Sequence, residues 1–431
     1  MDAEPRRAFG RAAWLSLAGI VIGLVLLLQA CLTTRETTAP SLAAPAHLSS
    51  SEALAPFFEA LYALEGNAAR QPVRVLQIGD SHTANDSLSG RLRDRLQARF
   101  GSAGRGWLPA GVPFKYYRPH LVSVTESGWQ HVKSNDHAGV ALGLDASAAI
   151  SQPPDAVMTV EGTEPLGFDR LAVEFLTQPN AAAFTVSIDG GAPQRVPTDA
   201  SATAIKRVEL TLDHPGRRAE LRATERPPVV LLGWAVERRS AGVIYENHGT
   251  IGATVGLLDQ MTPEAVSFEL DVRRPALLIV AFGTNEGFDN DLDPDRYASR
   301  FRGAVEALRQ RAHGAPVLIL GAPDGNRADR GCQPDPCGVG DQTCAWRAPP
   351  KLAVVRDIQR RVAAQQGWAY WDWFGAMGGT CSIDRMTGAN PPLAMPDHVH
   401  LSTPGYQAMA DLLFADLMRG YEIWKAQPRT S

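Results

Sequence analysis

The chain has no marked excess of positive or negative charge, and this limits the classes of partner that it could bind through charge. Its 431 residues carry 42 basic and 46 acidic side chains, for a formal net charge of -4. Proteins that bind nucleic acid usually concentrate basic charge on one face, so nothing here favours a nucleic-acid partner. An apolar content of 45% is ordinary for a globular protein, and no internal repeat is evident. The length is sufficient for two modest domains and additional segments.

The N-terminus carries the sequence pattern of an exported protein. An uncharged apolar run of 17 residues covers positions 14–30, and Arg6, Arg7 and Arg11 precede it. A run of this length is near the lower limit for a transmembrane helix. The basic cluster places the N-terminus on the cytoplasmic side. The pattern therefore predicts export with a signal that stays in the membrane as an anchor.

The predicted order of segments follows from that run. Residues 1–11 are expected in the cytoplasm and residues 12–31 in the inner membrane. Residues 32–51, rich in Ala, Pro, Ser and Thr, are expected to form a flexible linker to a periplasmic region. A second interpretation is a lipoprotein, because residues 28–31 read Leu-Gln-Ala-Cys and resemble a lipoprotein cleavage box. Cys31 would then carry the lipid.

Cysteine is scarce, and export decides how the few present are interpreted. Besides Cys31 the chain has only Cys332, Cys337, Cys344 and Cys381. In an oxidising compartment an even number favours two disulfides. Zinc is the competing interpretation, but there is no Cys-x-x-Cys spacing and no histidine among the four. Three pairings are possible for two disulfides, and the sequence does not choose among them.

Ser81 stands where a strand is predicted to give way to a helix. Alternating apolar residues over 73–78 predict a buried strand, and apolar residues at helical spacing over 86–100 predict a helix. Open α/β sheets bind ligands at the carboxyl ends of their strands. Ser81 is therefore a candidate nucleophile, and Asp397 and His400 near the C-terminus are candidates for its acid and base.

Two further loops follow apolar runs and carry candidate hydrogen-bond donors. Residues 247–252 read Asn-His-Gly-Thr-Ile-Gly, and residues 283–286 read Gly-Thr-Asn-Glu. A glycine lets a backbone N–H approach a ligand closely, and an asparagine side chain supplies N–H donors. With the amide of Ser81, the amide of Gly252 and the side chain of Asn285 would form an oxyanion hole. Such a hole is usually the largest single catalytic contribution in acyl transfer.

These strand-end segments, in this order, resemble the four sequence blocks of the SGNH (GDSL-type) hydrolases. The resemblance assigns the four residues that name the family, and the acid of its triad, to Ser81, Gly252, Asn285, His400 and Asp397. The wordings Gly-Asp-Ser-His-Thr, Gly-Thr-Asn-Glu and Asp-His-Val-His-Leu are similar to those of bacterial peptidoglycan O-acetylesterases. Those enzymes also carry a β-rich insertion after the first block. The resemblance covers most of the chain beyond about residue 51.

The resemblance also implies how the roles are divided. His400 would accept the Ser81 proton, and Asp397 would hold the imidazole and stabilise its charged form. No metal or organic cofactor is needed for this chemistry. Glu286 departs from the broader family, where many members have aspartate, without affecting the mechanism.

Three other histidines lie close to these segments. His398 is the alternative base, in which case His400 would be a packing residue. His82 and His248 receive no role in the reaction. They are expected either to lie behind the reacting groups or to lie at the surface.

Outside the middle of the chain, strands and helices alternate. Repeated βα units predict an α/β fold with a doubly wound parallel sheet and helices on both faces. The resemblance implies that this is the three-layer α/β/α, flavodoxin-like sheet of the SGNH hydrolases. Residues 52–118 and 241–425 are predicted to form this discontinuous hydrolase domain.

The intervening residues 119–240 show the period-two alternation of half-buried strands and predict an inserted β-sandwich. By resemblance this insertion is similar to a carbohydrate-binding module. Exposed Trp or Tyr side chains could stack on sugars, but Trp129 and Trp234 are predicted to be core residues.

The sequence as a whole predicts a serine esterase. It would face the periplasm from the inner membrane and remove O-acetyl groups from cell-wall glycan, with peptidoglycan as the expected substrate. One alternative is an esterase or O-acyltransferase acting on another acylated polysaccharide. The other is a non-catalytic glycan-binding protein on a decayed hydrolase fold, against which the presence of all five reaction-type residues argues.

Overall fold

The computed structural model describes residues 47–428, apart from 137–138, 153, 155, 164–166, 224 and 330–344. Its α-helices are Ala55–Glu65, Ser81–Ala84, Ser87–Phe100, Pro263–Arg273, Thr284–Phe288, Pro294–Arg311, Leu352–Gln366, Trp373–Ala376, Ser382–Thr387 and Thr403–Lys425. Short 3-10 helices cover Ser51–Leu54, Ser134–Asp136 and Val255–Asp259. A small hairpin pairs Arg327–Asp329 with Ala345–Arg347.

A six-stranded sheet organises the first and last thirds of the described chain. Its strand order is Leu48–Ser49, Ala369–Trp371, Val317–Leu320, Leu277–Ala281, Val73–Gly79 and Val243–Gly249. The first strand is an antiparallel edge, and the other five run parallel. Every residue of Val73–Gly79 is buried, as expected when helices cover both faces of a parallel sheet.

Helices pack on both faces of this sheet and give it two hydrophobic cores. One core takes buried side chains from Ala55–Glu65, Ser87–Phe100 and Thr403–Lys425. The other takes them from Pro263–Arg273, Pro294–Arg311 and Leu352–Gln366. The predicted three-layer α/β/α architecture is confirmed.

Two antiparallel sheets account for most of the middle of the chain. One has the order Gln194–Pro197, Ala183–Ile188, Arg218–Ala223, Ala156–Gly162 and Val122–Ser127. The other has the order Ala204–Gly216, Phe168–Thr177, Val230–Glu237, Ser147–Ser151 and Trp129–Lys133. Apolar side chains of both sheets pack in one core. Trp234 is 1% exposed and belongs to this core, whereas Trp129 is only half-buried against it.

One strand crosses the predicted boundary between the two parts. Gly104–Pro109 lies within the range 52–118 predicted for the hydrolase domain, yet it pairs antiparallel with Val230–Glu237 of the second antiparallel sheet. Its glycines explain how it fits: a Cβ on Gly104 would lie 2.6 Å from the Glu237 Cα. Gly104–Pro109 is therefore a strand of the second antiparallel sheet, although it lies within the sequence range predicted for the hydrolase domain.

Buried ion pairs also connect these two sheets. The guanidinium of Arg74, on a parallel strand, contacts both carboxylate oxygens of Glu237 at 2.8 and 2.9 Å. The same group contacts Glu246 at 3.1 Å, and Arg273 lies 3.3 Å from Glu174. Removing one partner of a buried pair leaves an uncompensated charge and costs about 3–5 kcal/mol. These buried ion pairs therefore hold the insertion to the parallel sheet, and replacing one partner of a pair is expected to be destabilising.

His248 extends this set of buried charges at the end of its strand. Its Nδ1 lies 2.9 Å from Asp145, and its Nε2 lies 3.6 Å from Glu246. Burial would lower the His248 pKa, but the carboxylates of Asp145 and Glu246 outweigh burial and raise it to about 9. The sequence-based alternative that His248 lies at the surface is wrong, since it is 0% exposed.

A pH-dependent stability follows from this raised pKa. The unfolded imidazole titrates at about 6.5, so the stabilising contribution of His248 is fully present below that pH and is lost as pH rises through about 9. We expect the unfolding free energy of the wild type to fall by up to about 3 kcal/mol more than that of His248→Gln over this window. Urea unfolding of both proteins at pH 6.5 and 9.5 measures it, and parallel declines would contradict the assignment.

Several sequence predictions concern residues outside the described part. The membrane anchor over 12–31, residues 32–46 of the linker predicted over 32–51, and Cys31 lie there, as do Cys332, Cys337 and Cys344. The end of the predicted linker differs from that expectation, because Leu48–Ser49 is an edge strand of the parallel sheet. Cys381 is disulfide-bonded, and the connectivity of the four cysteines stays open. Within the described residues no helix is both long and apolar enough to span a bilayer.

Candidate active site

Ser81 lies at the carboxyl edge of the parallel sheet, directly after the strand Val73–Gly79. The chain turns there into the one-turn helix Ser81–Ala84, and the side chain of Asp80 caps this helix by accepting the His82 backbone N–H at 2.9 Å. The turn needs glycine at position 79, because a Cβ there would lie 2.4 Å from the carbonyl oxygen of Ala281. Strand, turn and cap together fix the position of the Ser81 hydroxyl.

The three residues predicted as nucleophile, base and acid meet at this edge. Ser81 Oγ lies 2.8 Å from His400 Nε2, and His400 Nδ1 lies 2.8 Å from an oxygen of Asp397. The other Asp397 oxygen accepts the backbone N–H groups of Val399 and His400 at 2.9 and 3.0 Å. This linear chain of contacts is the arrangement that lets an imidazole take a serine proton.

Asp397 is held in its charged form by the contacts just described. Burial would raise the Asp397 pKa, but hydrogen bonds from His400 and Val399 outweigh it and hold the pKa below its usual range. A charged carboxylate fixes the Nδ1–H tautomer of the base and leaves Nε2 free to accept a proton.

His398 occupies a different environment from His400. Its Nδ1 is hydrogen-bonded to the carboxylate of Asp384, and its ring stacks on Trp346 with centroids 3.7 Å apart. Its backbone has a left-handed φ of 55°, which turns the chain between Asp397 and His400. Among the described residues Ser81 contacts His400 and not His398, so the geometry favours His400 over the alternative base.

The candidate oxyanion donors follow the strands on either side of the Ser81 strand. Leu277–Ala281 and Val243–Gly249 both pair with Val73–Gly79, so the loops that bear Asn285 and Gly252 flank the serine. Gly252 has a φ of 74°, which favours glycine. No hydrogen bond occupies the backbone N–H of Ser81 or Gly252 within the described part of the chain.

Asn285 has one amide proton engaged and one available. Its Nδ2 donates to the carbonyl oxygen of Ala253 at 2.8 Å, which ties it to the loop that carries Gly252. A primary amide has two N–H donors, and among the described residues the second has no partner, so it remains for a ligand. Glu286 joins the same two loops, because its carboxylate accepts the Val255 N–H at 2.7 Å.

His82 belongs to the site, although the sequence assigned it no role. It is 2% exposed, so its alternative placement at the surface is wrong. Its ring centroid lies 5.2 Å from that of His400, and its Nδ1 lies 2.8 Å from the Tyr406 hydroxyl. Burial, followed by the neighbouring His400, lowers the His82 pKa to about 3. His82 is therefore neutral and packs behind the base; its adjacency to Ser81 was the only sequence signal.

Asp384 is a second residue that the sequence did not single out. It is 2% exposed and accepts hydrogen bonds from His398 and from the Asn326 side chain, the latter at 2.7 Å. Through His398 it holds the loop that presents Asp397 and His400. Its position on a short helix carried no motif that would have predicted this function.

No group of three metal-ligating side chains occurs in the described ranges.

Known proteins resemble this chain in both sequence and structure. The model of the GDSL-like Lipase/Acylhydrolase family matches residues 214–408, which include Gly252, Asn285, Asp397 and His400 but not Ser81. Among solved structures, a peptidoglycan O-acetylesterase is 26% identical with a TM-score of 0.72, covering 88% of this chain and 100% of that one. No match is found among curated proteins.

Two other solved structures match much more weakly. A family two carbohydrate esterase from Cellvibrio japonicus is 14% identical with a TM-score of 0.28, covering 70% of this chain and 99% of that one. The acetyl xylan esterase AlAXEase is 13% identical with a TM-score of 0.28, covering 41% and 81%. Likenesses at this level support no conclusion about substrate.

Proposed function

Starting from an esterase that belongs to the GDSL-like lipase/acylhydrolase family, we propose that this chain removes O-acetyl groups from cell-wall glycan, with peptidoglycan as its substrate. The observation that carries the reaction class is the 2.8 Å contact between Ser81 Oγ and His400 Nε2 at the carboxyl edge of the sheet. The likeness to a peptidoglycan O-acetylesterase over 88% of the chain supports the substrate.

The proposed reaction proceeds in two halves. Ser81 Oγ attacks the ester carbonyl carbon while His400 Nε2 takes the hydroxyl proton, and Asp397 stabilises the resulting imidazolium. The tetrahedral oxyanion accepts hydrogen bonds from the amides of Ser81 and Gly252 and from the Asn285 side chain. The bond between the acyl carbon and the sugar oxygen then breaks, and His400 gives the proton to that oxygen, which leaves as the sugar hydroxyl.

Water completes the proposed cycle. It attacks the acetyl–Ser81 carbonyl as His400 takes its proton, the same donors hold the second oxyanion, and acetate leaves as the proton returns to Ser81 Oγ. In each half His400 accepts one proton and gives it up again, so the ester and water are the only reactants required.

The exposure of the triad favours hydrolysis over transfer to another alcohol. The side chains of His400 and Asp397 are 37% and 50% exposed. Water therefore reaches the base directly, whereas a transferase must exclude it from the acyl-enzyme. Transfer to a second polysaccharide is the alternative that this observation disfavours.

The cellular location is part of the same proposal. A periplasmic enzyme held in the inner membrane by residues 12–31 would meet peptidoglycan directly, and a lipid on Cys31 would serve the same end. The membrane anchor and the lipidated Cys31 are both interpretations of the N-terminal sequence pattern alone.

Release of acetate from a panel of substrates tests the proposed function. We expect the purified protein to release acetate from O-acetylated peptidoglycan faster than from acetylated xylan at equal acetyl concentration, because discrimination must come from the glycan around a small acyl group. An aryl acetate serves as the control for an intact catalytic centre. Turnover of the aryl acetate and of xylan, with none of peptidoglycan, would contradict the substrate but not the reaction class.

A further inference from the structure

A cavity lies between the insertion and the catalytic edge, and its position connects it to the reacting groups. We call it the junction cavity. Its volume is about 260 Å³, and the catalytic domain contributes Ala84 and Gly249–Ile251 to its wall. Ala84 ends the one-turn helix that Ser81 begins, and Ile251 immediately precedes Gly252. The junction cavity is thus adjacent to both the nucleophile and one oxyanion donor.

The side of the junction cavity that faces the core of the antiparallel sheets is mixed in character. Phe114 is half-buried and packs edge-on against Tyr117, with ring centroids 5.3 Å apart. Lys133 and Ser134 lie on the same side. The Tyr117 hydroxyl is buried and has no hydrogen-bond partner within the described residues. Apolar walls with a few polar groups are typical of a small-molecule subsite.

The two carboxylates in the wall are already neutralised by other residues. Asp86 contacts the guanidinium groups of Arg105 at 2.9 Å and Arg93 at 3.2 Å. Asp145 contacts His248 at 2.9 Å and accepts the indole N–H of Trp107. These pairs leave no spare negative charge at the wall.

Lys133 has no such compensation. Its side chain is exposed, and no ion pair or hydrogen bond of its ammonium group occurs among the described residues. The nearby carboxylate of Asp136 accepts the Lys133 backbone N–H at 2.7 Å rather than contacting the ammonium. Because Asp86 and Asp145 are already paired, Lys133 is the charged side chain of the described wall that lacks a counter-ion, and a negative group could pair with it.

We propose that the junction cavity is a subsite for a carboxylate-bearing substituent of the acylated glycan, with Lys133 as its counter-ion. The inference rests on the proposed function, because it takes the reacting ester to lie at Ser81. In peptidoglycan the muramoyl sugar carries a lactyl ether that ends in a carboxyl group or in a peptide with its own carboxylates. A neutral acetylated polysaccharide offers no such group. Lys133 would therefore select between acidic and neutral glycans.

Binding of two matched sugars tests the subsite without turnover. N-acetylmuramic acid differs from N-acetylglucosamine by a lactyl ether, which carries a carboxylate. Ser81→Ala provides a protein that is expected to bind ligands without catalysing ester hydrolysis. We expect Ser81→Ala to bind N-acetylmuramic acid about five-fold more tightly, as measured by NMR titration, since a partly exposed ion pair contributes modestly. Addition of Lys133→Met should abolish this preference, and Lys133→Arg should retain it. Lys115→Met, which changes an exposed lysine outside the cavity wall, is the control.

Turnover provides the second measurement. In Lys133→Met the ratio of kcat/KM for O-acetylated peptidoglycan to kcat/KM for an aryl acetate should fall about five-fold, through KM, and high salt should reduce the difference. The ratio should be unchanged in Lys115→Met.

The two measurements separate the inference from the function on which it rests. If the wild type releases acetate from peptidoglycan but Ser81→Ala binds both sugars equally, the subsite is overturned and the function stands. A preference that survives Lys133→Met also overturns it. If the wild type releases no acetate from peptidoglycan but the sugar preference depends on Lys133, the subsite stands and the substrate assignment fails.

Discussion

Replacing Ser81 with alanine is expected to lower kcat for an aryl acetate by at least about 10⁴-fold while the fold is retained. In the proposed mechanism Ser81 Oγ supplies the electron pair that attacks the ester, and His400 Nε2, 2.8 Å away, takes its proton in the first step. His400→Ala should lose a similar factor, and the double variant should be no worse than either single variant, because the two residues act as a unit. Steady-state kinetics and circular dichroism of the three variants provide the measurement.

His398→Ala is the matched control for this prediction. His398 lies two residues from His400 but is bonded to Asp384 and stacked on Trp346. We expect it to retain most of the activity, with any loss arising from a looser loop. Retention of activity in Ser81→Ala would remove Ser81 as the nucleophile, and inactivation by His398→Ala with an active His400→Ala would transfer the role of base.

Asn285→Ala is expected to cost about 3 kcal/mol of transition-state stabilisation, a fall of about 10²–10³ in kcat. In the proposed mechanism the Asn285 amide donates one proton to the Ala253 carbonyl and the other to the developing oxyanion. Because the charge forms only in the transition state, KM should change little. Single-turnover and steady-state measurements with an aryl acetate separate the two parameters.

Asn285→Asp provides the comparison for loop structure. It keeps the size of the side chain but removes both N–H donors, so its kcat should fall at least as far as that of Asn285→Ala. Thermal unfolding of both variants reports whether loss of the Ala253 contact has displaced the loop that carries Gly252. A loss confined to KM would show that Asn285 binds substrate instead of stabilising the oxyanion.

The sequence was most informative about the parallel sheet, because a strand buried on both faces leaves a continuous apolar run. Residues 277–281 and 317–320 lie in such runs, and residues 73–79 are apolar apart from Arg74, Gln77 and the terminal glycine. The residues after these strands could then be assigned to one edge, since parallel strands end together. That reasoning predicts from the sequence that Ser81, Asn285 and Gly252 lie at the same edge.

Other features required the three-dimensional structure because their partners are distant in sequence and chemically ordinary. Asp384 reaches His398 from a short helix that has no recognisable motif. His82 had a visible neighbour in Ser81, but its contact with Tyr406 spans more than 300 positions. Gly104–Pro109 was assigned with the hydrolase region because nothing in a six-residue strand reveals which sheet it joins.

The exposure of the triad has a consequence for how substrate size and rate are related. With half of the Asp397 side chain in contact with solvent, water weakens its electrostatic effect on His400. A long glycan lying across this edge would displace that water during acylation and strengthen the attraction between Asp397 and His400. Release of the deacetylated glycan would then readmit water for the second half of the reaction. A small soluble ester cannot displace the water in this way. We therefore expect the rate advantage of the polymer to appear in kcat as well as in KM.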